Sequence, residues 1–312
     1  MHRYKLIAAV LALLLLIGSA GFYKYDQSYR AASADVQTIK IAYLPITHSI
    51  SLFKTKELLE SQGKVHVELV KYGGWSELMD ALNTGRVDGA AVLIEMAMKS
   101  REQGLPLQLV ALGHHDGNVV ITSNAITEPS QLRGKTFAIP SPQSSHNILV
   151  QQLLANNGLT PDDVTIVEMA PAEMPAALKS GQIDGYCVAE PFGAKAVEAG
   201  IGHVFATSQD LWKDSICCGL VFNTEATAQK QEAVQAFEKA FREAGHTLTK
   251  EEAVNIAHTY LNQNEQVSRL SMEWISFDHL DVTPEAYQNL TDKMKQFHLT
   301  QNPPSYADFV KP

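Results

Sequence analysis

Two pairs of adjacent residues carry the types of side chain that bind metals or do redox chemistry. His114-His115 is followed by Asp116, but neighbouring residues on a strand point to opposite faces and rarely chelate one ion. Cys217 and Cys218 are adjacent, which suits neither a zinc ligand pair nor an ordinary long-range disulfide. They form either a strained vicinal disulfide or two free buried thiols, and both alternatives stay open. We therefore expect no metal site and no cofactor.

Other chemical signatures are few. The sequence holds no GxSxG nucleophile elbow, no P-loop and no HExxH motif. A formal net charge of −9 leaves no electrostatic footprint for DNA or RNA. Apolar residues make up 45% of the chain, which suffices for a hydrophobic core. Its 312 residues leave room for two compact lobes. The composition thus favours a globular protein that does not bind nucleic acid.

The N-terminus predicts export. Arg3 and Lys5 precede a run without charge from Leu6 to Phe22. This run of about 17 residues is at the short end of what spans a bilayer. Ala32-Ser33-Ala34 could be a signal-peptidase site, although it lies far beyond the apolar run. We predict that residues 1–34 are a signal peptide or an N-terminal membrane anchor, with residues 6–22 as the anchor. The rest of the chain would work in the periplasm or at the outer face of the cytoplasmic membrane.

A ten-residue segment occurs twice, as ALNTGRVDGA at 81–90 and as ALKSGQIDGY at 177–186. Each copy predicts a helix that ends at a glycine, followed by Asp-Gly and a short apolar strand. Glycine permits a left-handed cap, and the aspartate can bond the amides of its own turn. The recurrence predicts two similar lobes that face each other across a cleft. Elsewhere strands alternate with helices up to Phe222, which predicts mainly parallel sheets, and the chain is helical from Gln229 onward.

Several longer stretches resemble one protein family. They are IAYLPITHS from Ile41, PSQLRGKTFAIP and SPQSSHN in the middle of the chain, and ALKSGQIDGYCVAEPF from Ala177. In order and spacing they resemble the extracytoplasmic binding proteins of ABC importers for nitrate, bicarbonate, sulfonates, taurine and thiamine precursors. The resemblance covers most of residues 38–225. It implies a two-lobed α/β fold of the type II periplasmic-binding-protein class, in which each lobe has a mixed, mainly parallel sheet with flanking helices, followed by a C-terminal helical segment.

The resemblance also implies an organisation and a function. Lobe one would comprise residues 36–113 completed by 221–300, and lobe two residues 121–207. Residues 114–120 and 208–220 would be hinge crossings, and Cys217 and Cys218 would approach the cleft from the second one. The protein would be a monomer that captures a small organic or oxoanion solute between its lobes and delivers it to an ABC permease.

Ligands of open α/β sheets bind beyond the carboxyl ends of the strands. The alternatives to ligand binding are helix capping for the first loop and for the start of the middle helix, and core packing for the tryptophan. The predicted ligand-binding residues are Thr47, His48 and Ser49 in the first loop, Trp75 after two glycines, Glu95 and Glu190 after the strands of the repeat, His114 in the first crossing, and Ser144, Ser145 and His146 at the start of a helix.

The charges of these loops favour a neutral or cationic solute, since two glutamates lie near the predicted mouth and only Lys54 and Lys195 offer a cationic side chain. An anion bound by backbone amides at helix starts stays open. The alternative function is a pyrimidine-synthase-like enzyme on the same scaffold, in which His48 and Lys54 would take part. The cysteine-rich iron motif of those enzymes is missing near Cys187, so we do not expect an enzyme.

Overall fold

The computed structural model describes residues 36–63 and 65–311. The predicted signal or anchor segment, residues 1–34, lies outside the described residues. Within the described ranges, none of the helices has both the length and the apolar character that crossing a bilayer requires. The predicted α/β class is confirmed: two five-stranded sheets with flanking helices are followed by a helical C-terminal segment.

The first sheet, with its helices, is called lobe one. Along it, the strands pair in the order β2 (Val65–Lys71), β1 (Gln37–Tyr43), β3 (Gly89–Leu93), β11 (Cys218–Asn223) and β4 (Leu107–Leu112). Strands β1 and β3 are parallel, whereas β11 is antiparallel to both of its neighbours. The helices of this lobe are α1 (Ile50–Gln62), α2 (Trp75–Asn83) and α3 (Ile94–Glu102).

The second sheet, with its helices, is called lobe two. Its strands pair in the order β10 (Gly202–Thr207), β6 (Asn118–Ser123), β9 (Gly185–Ala189), β7 (Thr136–Ile139) and β8 (Thr165–Glu168). Strand β7 is parallel to β8 and β9, but β6 is antiparallel to both of its neighbours. The helices are α4 (Ser145–Asn156), α5 (Met174–Ser180) and α6 (Phe192–Glu198). Both sheets are mixed. The strand that enters each sheet from a crossing is antiparallel to both of its neighbours, so the pairing is less parallel than predicted.

The chain crosses twice between the sheets. Strand pairing begins inside both predicted crossings, at Asn118 and at Cys218, so that residues 113–117 and 208–217 connect the sheets. The first crossing contains β5 (His115–Asp116), which pairs with β12 (Ile275–Ser276), and the second contains α7 (Ser208–Leu211). The C-terminal helices are α8 (Gln231–Thr247), α9 (Lys250–Leu261), α10 (Glu265–Ser271), α11 (Pro284–Gln296) and α12 (Tyr306–Phe309). The predicted lobe boundaries and the hinge role of the crossings stay predictions.

The repeated segment builds the same joint in both lobes. The Asp88 amide donates to the Lys40 carbonyl over 2.9 Å, and the Lys40 amide donates to the Asp88 carboxylate over 2.8 Å. Asp184 makes the same two bonds with Thr136, over 2.8 and 2.9 Å. The expectation that each aspartate bonds its own turn is therefore wrong: the partner lies 48 residues earlier, in a neighbouring strand. Each joint thereby fixes the strand that ends at the cleft.

The glycine after each aspartate is required by close packing. A Cβ on Gly89 would lie 2.9 Å from the Val221 carbonyl oxygen, and one on Gly185 would lie 2.7 Å from that of Ile121. Real Cβ atoms almost never approach so closely, so a side chain at either position would push the neighbouring strand away. In each Asp-Gly pair, the aspartate carboxylate therefore links two neighbouring strands. The glycine allows a third strand to pack close to the backbone.

Candidate functional site

Four buried side chains meet where the crossings join lobe one. They are His48, His114, Cys217 and Cys218, and their possible ligand atoms all lie within 4.8 Å of one another. His48 lies in a short 3-10 turn after β1, and His114 follows β4. Cys217 directly precedes β11, and Cys218 is its first residue. The carboxyl ends of two strands and the amino end of an antiparallel one therefore deliver this cluster, which we call the His-Cys cluster.

The ring of His48 is held in one orientation. Its Nε2 lies 3.0 Å from the Gly117 carbonyl oxygen. A carbonyl can only accept, so Nε2 carries the proton and Nδ1 carries a lone pair. That Nδ1 lies 3.5 Å from the Sγ of Cys218. The backbone thus aims the unprotonated nitrogen of His48 at a sulfur.

His114 lies against His48, with ring centroids 3.5 Å apart and planes tilted by 34°. Its side chain is buried, and neither ring nitrogen has a hydrogen-bond partner among the described residues. Burial, with a smaller effect from neighbouring His48, lowers the pKa of His114 to about 4. The imidazole is therefore neutral near pH 7 and offers a free lone pair.

The two adjacent cysteines are free thiols whose sulfurs lie 3.7 Å apart. Our expectation that adjacent cysteines suit no ligand pair is wrong in its geometry. The alternation of side chains holds along a strand, whereas Cys217 lies before the strand begins, so both sulfurs reach the same cluster.

One of the two thiols is more acidic than the other. Burial raises the pKa of Cys217, but the neighbouring polar groups of Cys218, His114 and His48 outweigh burial and hold the pKa well below its usual range. Burial, together with the neighbouring Cys217, raises the pKa of Cys218 well above its usual range. The two thiols titrate as a coupled pair in which Cys217 is the more acidic, so that a negative charge on the pair lies on Cys217.

Groups from both lobes face this charge. Glu95 in the first turn of α3 is completely buried, and neither carboxylate oxygen has a partner among the described residues. Burial, and then the charge on Cys217, raises the pKa of Glu95 well above its usual range. His146 near the start of α4 is equally buried and unpartnered, and burial lowers its pKa to about 4. The neighbouring Ser145 hydroxyl also lacks a partner, whereas Ser144 caps α4 by accepting a bond from the Asn147 amide.

Glu190, the other predicted glutamate, lies between the lobes. Its carbonyl oxygen accepts bonds from the Thr47 amide over 2.9 Å and from the Thr47 hydroxyl over 2.8 Å. Its Oε2 accepts from the Ser271 hydroxyl over 2.8 Å and from the Ala194 amide over 3.1 Å. Since Thr47 and Ser271 belong to the first loop and to α10, Glu190 links lobe two to both. The Thr47 hydroxyl is thus hydrogen-bonded within the protein. The same holds for the Ser49 hydroxyl, which donates to the Leu44 carbonyl.

Trp75 begins α2 and is 4% exposed, and its indole Nε1 has no hydrogen-bond partner in the part of the chain that the structure describes. It packs in the core and also lines a cavity of about 450 Å³ between the lobes. The two alternatives for this residue, core packing and ligand contact, are therefore compatible. The cavity is lined by Gly73, Gly74, Trp75, Ser76 and Glu77 of lobe one and by Pro140, Glu168, Met169, Ala170, Pro171 and Glu173 of lobe two.

The lysines considered as ligand contacts are engaged elsewhere. The ammonium of Lys54 donates to the Thr247 carbonyl and to Glu252, at the junction of α8 and α9. It therefore does not join His48, as the enzyme alternative would require. Lys195 lies over the Phe192 ring, 4.7 Å from its centroid.

Of the predicted site residues, the structure brings His48 and His114 into the His-Cys cluster and places Glu95 and His146 near its thiolate. The two cysteines were not predicted as ligands. Their position in the second crossing was the available signal, but the order of strands alone does not show on which side of the cleft the sulfurs lie.

The model of the NMT1-like family matches residues 32–262, and the chain belongs to this family. A solved ligand-binding component of an ABC-type import system from Staphylococcus aureus, with zinc bound, is 41% identical. It superimposes with a TM-score of 0.85, over 88% of this chain and 97% of that one. The predicted resemblance to the binding proteins of ABC importers is thus confirmed.

More distant relatives share the fold. The alkanesulfonate-binding protein SsuA of Xanthomonas axonopodis pv. citri, bound to MOPS, is 20% identical, with a TM-score of 0.76 over 89% of this chain and 99% of that one. The nitrate/nitrite binding protein NrtA of Nostoc sp. is 25% identical over 71% of this chain and 56% of its own length. The chain spans between 29% and 56% of the lengths of the curated relatives it matches.

Proposed function

We propose that this chain is the solute-binding component of an ABC importer. It captures a small solute between its lobes on the outer side of the cytoplasmic membrane and delivers it, as a monomer, to the permease. The observation that carries the proposal is a group of buried polar side chains without partners, contributed by both lobes and by a crossing. Its members are Glu95, His114, Ser145 and His146.

Buried polar groups in folded proteins nearly always have partners, and each one left without costs about 1–3 kcal/mol. Four such groups from three separate parts of the chain are therefore costly unless a ligand completes them. A ligand that bonds to both lobes stabilises the closed arrangement over the open one. The contacts of Glu190 with Thr47 and Ser271 join the same two lobes. In our proposal they form when the lobes close.

The charges favour a cation or a neutral molecule. The cavity at Trp75 carries Glu77, Glu168 and Glu173. None of the residues that line this cavity is a lysine or an arginine. An anion such as the nitrate bound by the NrtA relatives would be repelled by this lining. Zinc, which is bound in the similar Staphylococcus aureus component, has the charge that the lining favours.

The test uses the full chain, purified in mild detergent because of its predicted anchor. Thermal unfolding and hydrogen exchange are measured with Zn²⁺, thiamine precursors, taurine, an alkanesulfonate, nitrate and bicarbonate, one at a time. We expect one cationic or neutral solute to raise the melting temperature and to slow exchange in residues 113–117 and 208–217, since closure restricts the crossings. Protection by nitrate or the sulfonate alone would contradict the proposed ligand charge. If no solute protects the crossings, the receptor function is wrong.

A further inference from the structure

We propose that His48, His114, Cys217 and Cys218 bind one thiophilic metal ion, for which Zn²⁺ serves as the probe. If the receptor function above is right, this ion is the solute that the lobes enclose, and the second part of the inference rests on that proposal. The first part, the metal site itself, rests on the cluster alone.

The donor set selects the class of metal. Two thiol sulfurs and two imidazole nitrogens form a mixed S₂N₂ set, which suits Zn²⁺ and other soft or borderline ions. Hard ions such as Mg²⁺ and Ca²⁺ bind oxygen ligands instead. None of the four side chains is a carboxylate, and all four are buried.

Two of the distances between ligand atoms match the edges of a tetrahedral site. Zn–S bonds of about 2.3 Å and Zn–N bonds of about 2.0–2.1 Å set two sulfurs about 3.8 Å apart and a nitrogen and a sulfur about 3.6 Å apart. The sulfurs of Cys217 and Cys218 are 3.7 Å apart. His48 Nδ1 and Cys218 Sγ are 3.5 Å apart. Both distances are much longer than a disulfide bond, and both correspond to edges of such a tetrahedron.

The surroundings hold the ligands in place. Histidines that bind a metal almost always donate their other ring nitrogen to a carbonyl or carboxylate, which fixes the tautomer. His48 makes this contact with the Gly117 carbonyl. His114 has two ring nitrogens without a partner among the described residues, so one is available to the ion at no cost of an existing bond.

Release of an ion from this depth requires the lobes to separate. Glu95 of lobe one and His146 of lobe two both act electrostatically on Cys217, and both are completely buried. Each lobe therefore places one buried polar side chain close to Cys217. An ion held here is therefore shielded from water in the closed form and becomes accessible when His146 moves away with lobe two.

The experiment is a cobalt titration of the full chain under reducing, oxygen-free conditions. Co²⁺ bound by thiolates has sulfur-to-metal charge-transfer absorption in the near ultraviolet. We expect this band to saturate at one Co²⁺ per chain and to disappear when one equivalent of Zn²⁺ displaces it. In Cys217→Ser and Cys218→Ser we expect the band to weaken and the affinity for Zn²⁺ to fall by at least tenfold.

The matched control is Cys187→Ala, which removes the remaining thiol. Cys187 is buried in β9 and is not one of the four cluster residues, so its loss should leave the band and the affinity unchanged. His114→Ala is a second variant that keeps both cysteines, and we expect it to bind Zn²⁺ at least tenfold more weakly. The melting temperature without metal is measured for each variant to show that it is folded.

A titration without a thiolate band would overturn the inference, and so would equal affinity in the parent and in folded Cys217→Ser or His114→Ala. The two proposals fail in different ways. If Zn²⁺ does not bind but an organic solute protects the crossings from exchange, the metal site is wrong and the receptor function stands. If Zn²⁺ binds through the four residues without protecting the crossings, the site is right and the ion is not the solute that drives closure.

Discussion

The orientation of His48 depends on a glycine 69 residues away. Gly117 has a φ of +78°, and a Cβ there would lie 2.9 Å from the Ile275 side chain and 3.0 Å from His48 Nε2. Only glycine combines this backbone conformation with so close an approach of the imidazole. The carbonyl that fixes the His48 tautomer therefore belongs to a residue that must itself be glycine, because the imidazole lies so close to it.

Gly117→Ala should consequently weaken metal binding. We expect the added methyl group to displace His48 and to lower Zn²⁺ affinity about tenfold or more, as is typical when the second contact of a metal-binding histidine is lost. The measurement is Zn²⁺ affinity by competition with a chromogenic chelator. Gly134→Ala is a matched control, because Gly134 has a φ of +77° but a methyl group added there would meet nothing within 4 Å beyond its chain neighbours. Equal Zn²⁺ affinities in the two variants would contradict this account of His48.

Glu190 should make stability depend on pH. Burial raises its pKa to about 7, against an ordinary value of 4.5. Hydrogen bonds from Ser271 and Ala194, and the charge of Lys195, oppose the effect of burial only in part. Between these two values the folded protein binds a proton that the unfolded chain has lost. The stability from Glu190 is therefore full below about pH 4.5, falls as the pH rises, and is lost above pH 7.

Glu190→Gln should remove this dependence. The amide keeps an oxygen for the Ser271 hydroxyl and the Ala194 amide but does not ionise. From the size of the shift we expect the parent to lose about 3 kcal/mol relative to the variant between pH 4.5 and pH 8. Urea unfolding of both metal-free proteins at several pH values measures the difference, in which titrating groups that do not interact with Glu190 cancel. Parallel pH profiles would show that Glu190 is not protonated in the folded protein.

At the scale of elements, the two Asp-Gly joints make the same backbone bonds in different surroundings. Asp88 is 5% exposed and also pairs with the Lys230 ammonium, 2.8 Å away. Asp184 is partly exposed, and its ion pair with Lys135 spans 3.2 Å between half-exposed side chains. The joint in lobe one thus also holds the loop that leads into the C-terminal helices.

Removal of the two carboxylates should therefore have unequal effects. Asp88→Ala leaves the Lys230 charge and the Lys40 amide without a partner, and we expect it to lower the free energy of unfolding by about 3 kcal/mol. Asp184→Ala should cost about 1 kcal/mol, because water can replace the lost partner. Urea unfolding of both variants and of Lys230→Met, which removes only the ion pair, measures the contributions. Equal losses for the two aspartates would mean that the buried ion pair adds nothing.

The order of these elements was predictable from the sequence, because hydrophobic period and glycine caps are local properties. Strands do alternate with helices up to Phe222, as predicted. The two-residue strands β5 and β12 were not predicted, since their pairing joins segments about 160 residues apart and leaves no local pattern.

The site was predictable only as a set of loops. The strand-end rule selects His48, Glu95 and His146, and the structure places them around one cluster. It does not show which polar groups the protein itself uses, so the Thr47 and Ser49 hydroxyls were expected to be free. The two cysteines were missed because the residue at which β11 begins decides where their sulfurs lie.

On the scale of the whole molecule, the fold is shared with proteins of low sequence identity. The Xanthomonas sulfonate-binding protein has the same architecture at 20% identity. A fold shared at that distance does not determine the ligand. In this chain the His-Cys cluster, the buried Glu95 and the acidic cavity lining are properties of individual residues. The ligand class therefore follows from these residues and not from the architecture.

The two lobes are in contact through elements distant in sequence. Helix α10 of the C-terminal segment packs against α6 of lobe two, and Glu190 bonds to both Ser271 and Thr47. In a receptor that opens and closes, these contacts must break when the solute leaves. The binding free energy of the solute then offsets the conformational freedom that the two lobes lose on closing.

The most direct test is anomalous diffraction from crystals of the protein grown with one equivalent of Zn²⁺. Data collected on both sides of the zinc absorption edge locate the ion without reference to a fitted ligand. We predict one strong anomalous peak within bonding distance of His48 Nδ1, a ring nitrogen of His114 and the sulfurs of Cys217 and Cys218, with Glu95 and His146 closing over it. A peak only at surface histidines or carboxylates, with the four residues unliganded, would contradict the account.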